Sequence, residues 1–260
     1  MLLETVNTVS EQAPIIDTQK PFTLSIPPKT DVFVSPVLGY HFSAPVIYTK
    51  IATDSFKSSR ATISVPFQLP SPNSESGSNP TIQYDQAGLI FVLPTPSLPK
   101  PSRAHPGSHS GIKTGVHPKW VKAGIEVWEG KAWGSIVVRD RWSDWSLFEL
   151  PASALGAHAG ILGNKPSATI NLETNRVGDA LMIYMVEEGQ EPIPVRKVPW
   201  WFMEDETEDA FWVGVYGARP DPFDEATRNL EVEFAGFEVE SKASGCIKEL
   251  TTFNVLTLFE

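Results

Sequence analysis

This sequence of 260 residues has one cysteine, Cys246, so no disulfide can form within the chain. Positive charge is also scarce: 21 Lys and Arg residues stand against 31 Asp and Glu, a formal net charge of −10. That balance argues against nucleic acid or an anionic membrane as a partner. No run approaches the roughly 18 consecutive apolar residues of a membrane-spanning helix, and the N-terminus lacks the pattern of a secretory signal. These absences predict a soluble protein of the cytoplasm.

Helical patterns are also rare, because 23 Pro and 18 Gly interrupt the chain every few residues. Short alternating runs rich in Val, Ile, Phe and Trp take their place, and this pattern is typical of strands. The predicted strands are Thr62–Gln68, Gln83–Leu93, Trp120–Trp128, Ala132–Asp140, Trp145–Leu150, Ala168–Glu173, Ala180–Val186, Phe211–Tyr216, Leu230–Phe237 and Phe253–Phe259. Many strands at short spacing predict an all-β protein, a β-sandwich or jelly roll of antiparallel sheets.

The length allows residues 1–260 to form a single β-sandwich domain. Residues 1–45 are interrupted by prolines and are interpreted as an N-terminal extension. Leu69–Pro80 is a polar loop, and Pro94–Pro118 is a long insert between two strong strands. Long inserts of this kind are often lids or binding loops, so the insert at 94–118 is of functional interest.

Metal ligands are not arranged in a convincing pattern. His105, His109 and His117 lie in the His-rich part of the insert, 103–117, without the spacing of a zinc site. Asp140 and Asp144 share their loop with an arginine and two tryptophans, which does not resemble a calcium loop. We therefore expect no metal and no cofactor.

The segment 120–140 predicts a β-hairpin, and its register follows from the apolar pattern. A two-residue turn at 129–130 places Val121 opposite Val138, and apolar residues then face each other along the pair. A slip of one residue would place Val121 opposite Arg139. The same parity argument predicts one continuous core, which contains Leu89, Ile125, Ile136, Val138, Val213 and Val215.

The other side of these strands is unusual, because it carries Trp, Tyr, Gln, Lys, Glu and glycine. Lys122 and Glu126 lie on this side about 13 Å apart along one strand, so each needs a partner from another strand or a ligand. Glycine inside a strand often marks the close approach of a ligand or of another backbone. The face is interpreted either as an ordinary solvent face or as a binding surface.

Four motifs of this sequence occur together in a known family. They are Tyr84–Leu89 (YDQAGL), Trp120–Glu126 (WVKAGIE), Asp140–Ser146 (DRWSDWS) and Val213–Tyr216 (VGVY). In these motifs the chain, over about 56–239, resembles a widespread family of unknown-function domains whose fungal branch includes the yeast "regulation of enolase" protein. The resemblance implies a concanavalin A-like jelly-roll β-sandwich of two curved antiparallel sheets. It implies no activity, because the family has no established one.

Two hydrolytic mechanisms are disfavoured by the sequence. A glucanase of that superfamily needs paired carboxylates about 5 Å apart on one strand, and Glu126 has no carboxylate at the required offset. The segment Gly107–Gly111 has His at the position where a nucleophile elbow needs Ser.

A site on the polar face is the remaining hypothesis. Its predicted residues are Lys122 and Glu126 as catalytic groups, with Gln86, Trp120, Arg139, Asp144, Trp145 and Tyr216 as ligand-binding groups. We expect a small organic or carbohydrate ligand, and any reaction would be a metal-free isomerase, lyase or cyclase step rather than glycoside hydrolysis.

Two alternatives stay open. One is a non-catalytic carbohydrate- or protein-binding module that regulates carbon metabolism, which would require an open groove instead of a lid. The other is purely structural: Lys122, Glu126 and Asp144 would form a cross-strand ion network buried under the insert.

Overall fold

A computed structural model describes residues 2–8, 17–18, 20–67, 81–94, 117–157, 166–203 and 209–242 of the chain. Several predicted features lie outside these residues: the polar loop Leu69–Pro80, most of the insert with His105 and His109, Cys246 and the strand Phe253–Phe259. Among the described residues, none of the helical segments has the length and apolar character needed to cross a membrane.

Strands make up nearly all of the regular structure. They are β1 (Glu4–Val6), β2 (Phe22–Ile26), β3 (Val32–Ser35), β4 (Gly39–Phe42), β5 (Val46–Ala52), β6 (Phe56–Pro66), β7 (Gln86–Leu93), β8 (Lys119–Trp128), β9 (Lys131–Arg139), β10 (Ser143–Phe148), β11 (Leu155–Ala157), β12 (Pro166–Val177), β13 (Ala180–Val186), β14 (Ile193–Val198), β15 (Ala210–Ala218) and β16 (Leu230–Ser241). Two single-turn 3₁₀ helices, Thr53–Ser55 and Ala152–Ala154, connect strands.

The strands form two large antiparallel sheets. The first sheet has the order β1-β5-β15-β7-β8-β9-β10, and the second has the order β14-β13-β12-β6-β16-β2, with β11 beside β12. A separate hairpin consists of β3 and β4. The expected all-β fold, a β-sandwich of two antiparallel sheets, is thereby confirmed.

The core between the sheets contains all six residues that the parity argument placed there. The hairpin β8–β9 has the predicted register, with Val121 opposite Val138 and Trp128 opposite Lys131. The register holds because any slip would turn the apolar side chains of both strands away from the second sheet.

The central strands of the first sheet are buried on both faces. Every residue of β7 is buried, although only alternate residues point into the core. The hairpin β3–β4 covers the other face, and its Val32, Val34, Tyr40 and Phe42 form a second apolar cluster with that sheet. The polar face of β7 and β8 is therefore not an ordinary solvent face.

The hairpin β3–β4 lies in the segment that the sequence presents as an extension, residues 1–45. Its two strands have four residues each and are joined by a short turn. Runs this short carry too little alternation to be recognised before their packing partner is known. The hairpin buries its apolar side chains against a sheet that is distant in sequence.

Candidate functional site

A cavity of about 350 Å³ lies between the hairpin β3–β4, the first sheet and the loop that follows β15. Its polar wall consists of Asp31, Gln86, Lys122 and Glu126. Its apolar and aromatic walls consist of Phe33, Leu38, Tyr84, Val137, Trp145, Pro220 and Pro222. This volume falls in the usual range of small-molecule sites.

Lys122 reaches the cavity from the middle of β8, and its side chain is only 3% exposed. Its Nζ donates a hydrogen bond of 2.6 Å to Gln86 Oε1 and lies 3.9 Å from Asp31 Oδ1. Burial lowers the pKa of Lys122, and the carboxylates of Asp31 and Glu126 oppose that shift. The partners that the sequence argument required therefore come from β7 and from the segment before β3.

Glu126 lies four residues further along β8 on the same face and is 4% exposed. Its Oε2 accepts hydrogen bonds from Ser135 Oγ at 2.6 Å and from Trp145 Nε1 at 3.0 Å. Burial raises the pKa of Glu126, while Lys122 and these two donors act in the opposite direction. Glu126 and Trp145, predicted independently, are thus in direct contact.

Gln86 connects the lysine to the next strand. Its Oε1 accepts from Lys122 and also from the Tyr216 hydroxyl at 3.1 Å, and its Nε2 donates to the Tyr84 carbonyl at 3.2 Å. Tyr216 is buried behind the glutamine, and this burial raises its pKa. Tyr216 therefore orients the amide and does not line the cavity.

Asp31 is a wall residue that the sequence argument missed. It precedes β3, and its Oδ1 accepts from the Val32 amide at 2.7 Å. Burial raises the pKa of Asp31, and Lys122 is the largest opposing influence. Asp31 follows a Pro-rich stretch without any strand pattern, so nothing in the local sequence marked it.

A buried ion pair fixes the loop that carries Asp31. Arg219 donates to both carboxylate oxygens of Asp85, at 2.9 and 2.6 Å, and both side chains are almost fully buried. The backbone of Arg219 in turn bonds Thr30 twice, at 3.1 Å each. The wall residues Asp31 and Pro220 are therefore each adjacent in the chain to a residue of this connection.

Besides Tyr216, three further predicted site residues lie away from the cavity wall. Trp120 is fully buried in the second apolar cluster. Arg139 is buried beside it and donates to the carbonyls of His117 and Pro118 at 2.6 and 2.8 Å. Asp144 is exposed and pairs with Arg196 of β14. The buried network of Lys122, Glu126 and Asp144 that the sequence allowed is therefore not formed, because Asp144 is exposed on the edge strand β10. Asp31 takes its place beside Lys122.

The glycines of the polar face accommodate backbone and not a ligand. Gly88 and Gly124 are opposite each other on β7 and β8. A Cβ at Gly88 would lie 2.0 Å from the Ala123 carbonyl oxygen, and one at Gly124 would lie 1.9 Å from that of Ala87. The two strands approach closely here, which is one of the two reasons expected for glycine inside a strand.

Metal ligands do not converge in the part of the chain that the structure describes: no three His, Cys, Asp or Glu side chains there could hold an ion together. His117 instead stacks on Tyr40 with ring centroids 4.0 Å apart, and burial lowers its pKa. The expectation of a site without metal or cofactor stays a prediction.

Comparisons with known proteins agree with the fold. Residues 9–242 match the family described as "Protein of unknown function (DUF1349)". An uncharacterized protein of Emericella nidulans, AN7484, is 34% identical over 219 residues, which cover 84% of this chain and 86% of that one. A functionally unknown protein from Saccharomyces cerevisiae has a similar structure, with a TM-score of 0.56, 19% identity and coverage of 92% and 96%. These relatives carry no assigned activity.

Proposed function

The chain belongs to this family of proteins of unknown function, and we propose that it binds a small organic molecule in the cavity beneath the hairpin β3–β4. The ligand presents hydrogen-bonding groups to Lys122, Glu126 and Gln86, and an apolar or ring-shaped part to Trp145. Sugars and small ring compounds both meet this description.

The observation that supports the proposal is the position of the buried charges. Lys122 and Glu126 are nearly inaccessible, and burying such groups costs several kcal/mol unless they are paired. A purely structural network would place them in a filled interior. Here they face an unfilled cavity with aromatic walls, which is the usual setting of a binding site.

A second candidate function is acid–base catalysis at the same site. Burial shifts the pKa of Lys122 downwards and that of Glu126 upwards, so both move towards the neutral range where proton transfer is efficient. A pair of this kind suits a cofactor-free isomerase, lyase or cyclase. The binding proposal does not depend on this step, and the alternative role as a carbohydrate-binding regulatory module uses the same cavity.

The proposal is tested with two substitutions at the tip of the hairpin. Leu38 lines the cavity, whereas its neighbour Val37 points to solvent and is 89% exposed. We expect Leu38→Trp to fill the mouth of the cavity and Val37→Trp to leave it open. Ligand-observed NMR with a fragment library should show hits on the wild-type protein and Val37→Trp that disappear with Leu38→Trp.

The pair of variants separates binding in the cavity from binding elsewhere. Fragments that bind Leu38→Trp as well as the wild-type protein would place the binding surface outside the cavity. A library without any hit that responds to Leu38→Trp would contradict the proposed function.

A further inference from the structure

We propose that the ligand of this cavity carries a protonated amine, which lies between the carboxylates of Asp31 and Glu126, on an apolar body that packs against Trp145 and Phe33. This inference rests on the proposed function and specifies the chemical class of its ligand.

The first argument is the charge of the wall. Asp31 and Glu126 each contribute one negative charge when ionised, and Lys122 contributes one positive charge, so the formal sum is −1. Moving a proton among the three groups does not change this sum. Burial raises the pKa of both carboxyls, and the charge of Asp31 raises the pKa of Glu126 further. One further positive charge completes the balance.

In the described part of the chain, two nearby arginines are already engaged by other carboxylates. Arg219 is paired with Asp85 and Arg196 with Asp144. His41 on β4 lowers the pKa of Asp31 by its charge, and its ring nitrogen Nε2 lies 2.8 Å from the Leu38 carbonyl oxygen, to which it can donate. The negative field at the wall is therefore open to a cation from solution, and the net charge of −10 favours its approach.

The second argument is the count of hydrogen bonds. Glu126 accepts both of its bonds at Oε2, and Asp31 accepts from Val32 at Oδ1. In the ranges of the chain that the structure describes, no donor reaches Glu126 Oε1 or Asp31 Oδ2. Lys122 already directs Nζ towards Gln86 and Asp31. The wall thus lacks donors, and an ammonium group supplies three of them.

The third argument concerns the rest of the cavity. Its other walls are Phe33, Leu38, Tyr84, Val137 and Trp145 with two prolines, so the amine must be attached to an apolar body. Aromatic faces also attract cations. Phe223, which follows the wall residue Pro222 in the chain, is 67% exposed. An anionic ligand would instead add a third negative charge to the wall.

The test compares molecules of the same shape that differ in charge: benzylamine with benzyl alcohol, 2-phenylethylamine with 2-phenylethanol, and phenylacetate as the anion. Calorimetry or ligand-observed NMR near neutral pH gives the affinities. We expect each amine to bind about tenfold or more tightly than its alcohol, and phenylacetate to bind more weakly than either.

Two charge variants locate the effect. Glu126→Gln keeps the shape of the side chain and should reduce amine affinity about tenfold while the alcohol changes little. Glu129→Gln, on the exposed turn after β8, changes the net charge equally and should leave both affinities unchanged. Asp31→Asn provides a second wall variant if Glu126→Gln folds poorly.

The outcomes distinguish this inference from the function on which it rests. Equal binding of amines and alcohols in the cavity, or a preference for phenylacetate, would overturn the amine assignment and leave the binding site intact. Equal loss of amine affinity in Glu126→Gln and Glu129→Gln would also overturn it. If no compound of the series bound and the hairpin variants showed no cavity-dependent hit, both proposals would fail.

Discussion

Replacing Lys122 by Met measures how strongly the charged wall stabilises the fold. The Nζ atom lies 3.9 Å from Asp31 Oδ1, where the Coulomb attraction is about 4 kcal/mol at an effective dielectric constant near 20. The hydrogen bond to Gln86 contributes about 2 kcal/mol as a charge-assisted bond. Met removes both terms, but it also removes the cost of burying the ammonium group. We expect a net loss of about 3 kcal/mol in the free energy of unfolding, near the range for breaking a buried pair.

Urea unfolding followed by tryptophan fluorescence near neutral pH gives this value. Lys119→Met is the matched control, because Lys119 lies on the same strand and pairs at 2.7 Å with Asp140, whose side chain is 62% exposed. A pair with one solvent-exposed partner is worth about 0–1 kcal/mol, so the control should change stability little.

The reasoning would be refuted if the free energy of unfolding of Lys122→Met were within about 1 kcal/mol of that of the wild-type protein. That result would mean that the free-energy cost of burying Lys122 equals the stabilisation from its interactions with Asp31 and Gln86. Lys122 would then serve ligand binding and not stability, and a variant that lost binding without losing stability would confirm that role.

Two further predictions concern the close strands and the response to pH. Gly124→Ala places a Cβ against the Ala87 carbonyl and should lower the free energy of unfolding by roughly 3 kcal/mol or more. Gly130→Ala has nothing within 4 Å of its Cβ and should lower it by about 1 kcal/mol, because the backbone there is left-handed. Equal losses of the two variants in thermal or urea unfolding would contradict the close approach of the strands. Burial raises the pKa of Glu126 above 4.5 and that of Asp31 above 3.8, so the folded state binds these two protons more tightly than the unfolded state does. The two protonated carboxyls therefore contribute stability fully below those values, and this contribution is lost as pH rises through the folded-state pKa. Unfolding titrations should therefore show a stability loss with rising pH that is absent from the double variant Asp31→Asn, Glu126→Gln; the same slope in both proteins would argue against it.

The sequence alone determined the core and its central hairpin. Strict alternation over β8 and β9 with a two-residue turn allows one register that buries Val121, Ile125 and Val138 together. Such information is local, since it needs only the two-residue period of a strand and the preference of apolar side chains for the interior. The same parity placed Gln86, Lys122 and Glu126 together on the opposite face, where the cavity lies.

Strand parity also has a limit, which Trp120 and Arg139 show. Both share the face of Lys122, yet they lie where the hairpin β3–β4 is packed tightly and leaves no space. Asp144 shows the same limit at the sheet edge, where its carboxylate pairs with Arg196 and only the adjacent Trp145 reaches the cavity. A face of a strand can be read from sequence, but the space above it cannot.

Only the tertiary structure decided that this face is a cavity wall. The cover comes from β3 and β4, about 80 residues before β8 in the chain, through strands too short to show a pattern of their own. Asp31 acquires its role from that cover, because it meets Lys122 only after the hairpin packs against the first sheet. The glycines at 88 and 124 likewise fit either a ligand or a backbone until the spacing of β7 and β8 is known. Parity is a property of neighbouring residues, whereas charge balance and empty volume depend on segments that folding brings together from distant parts of the chain.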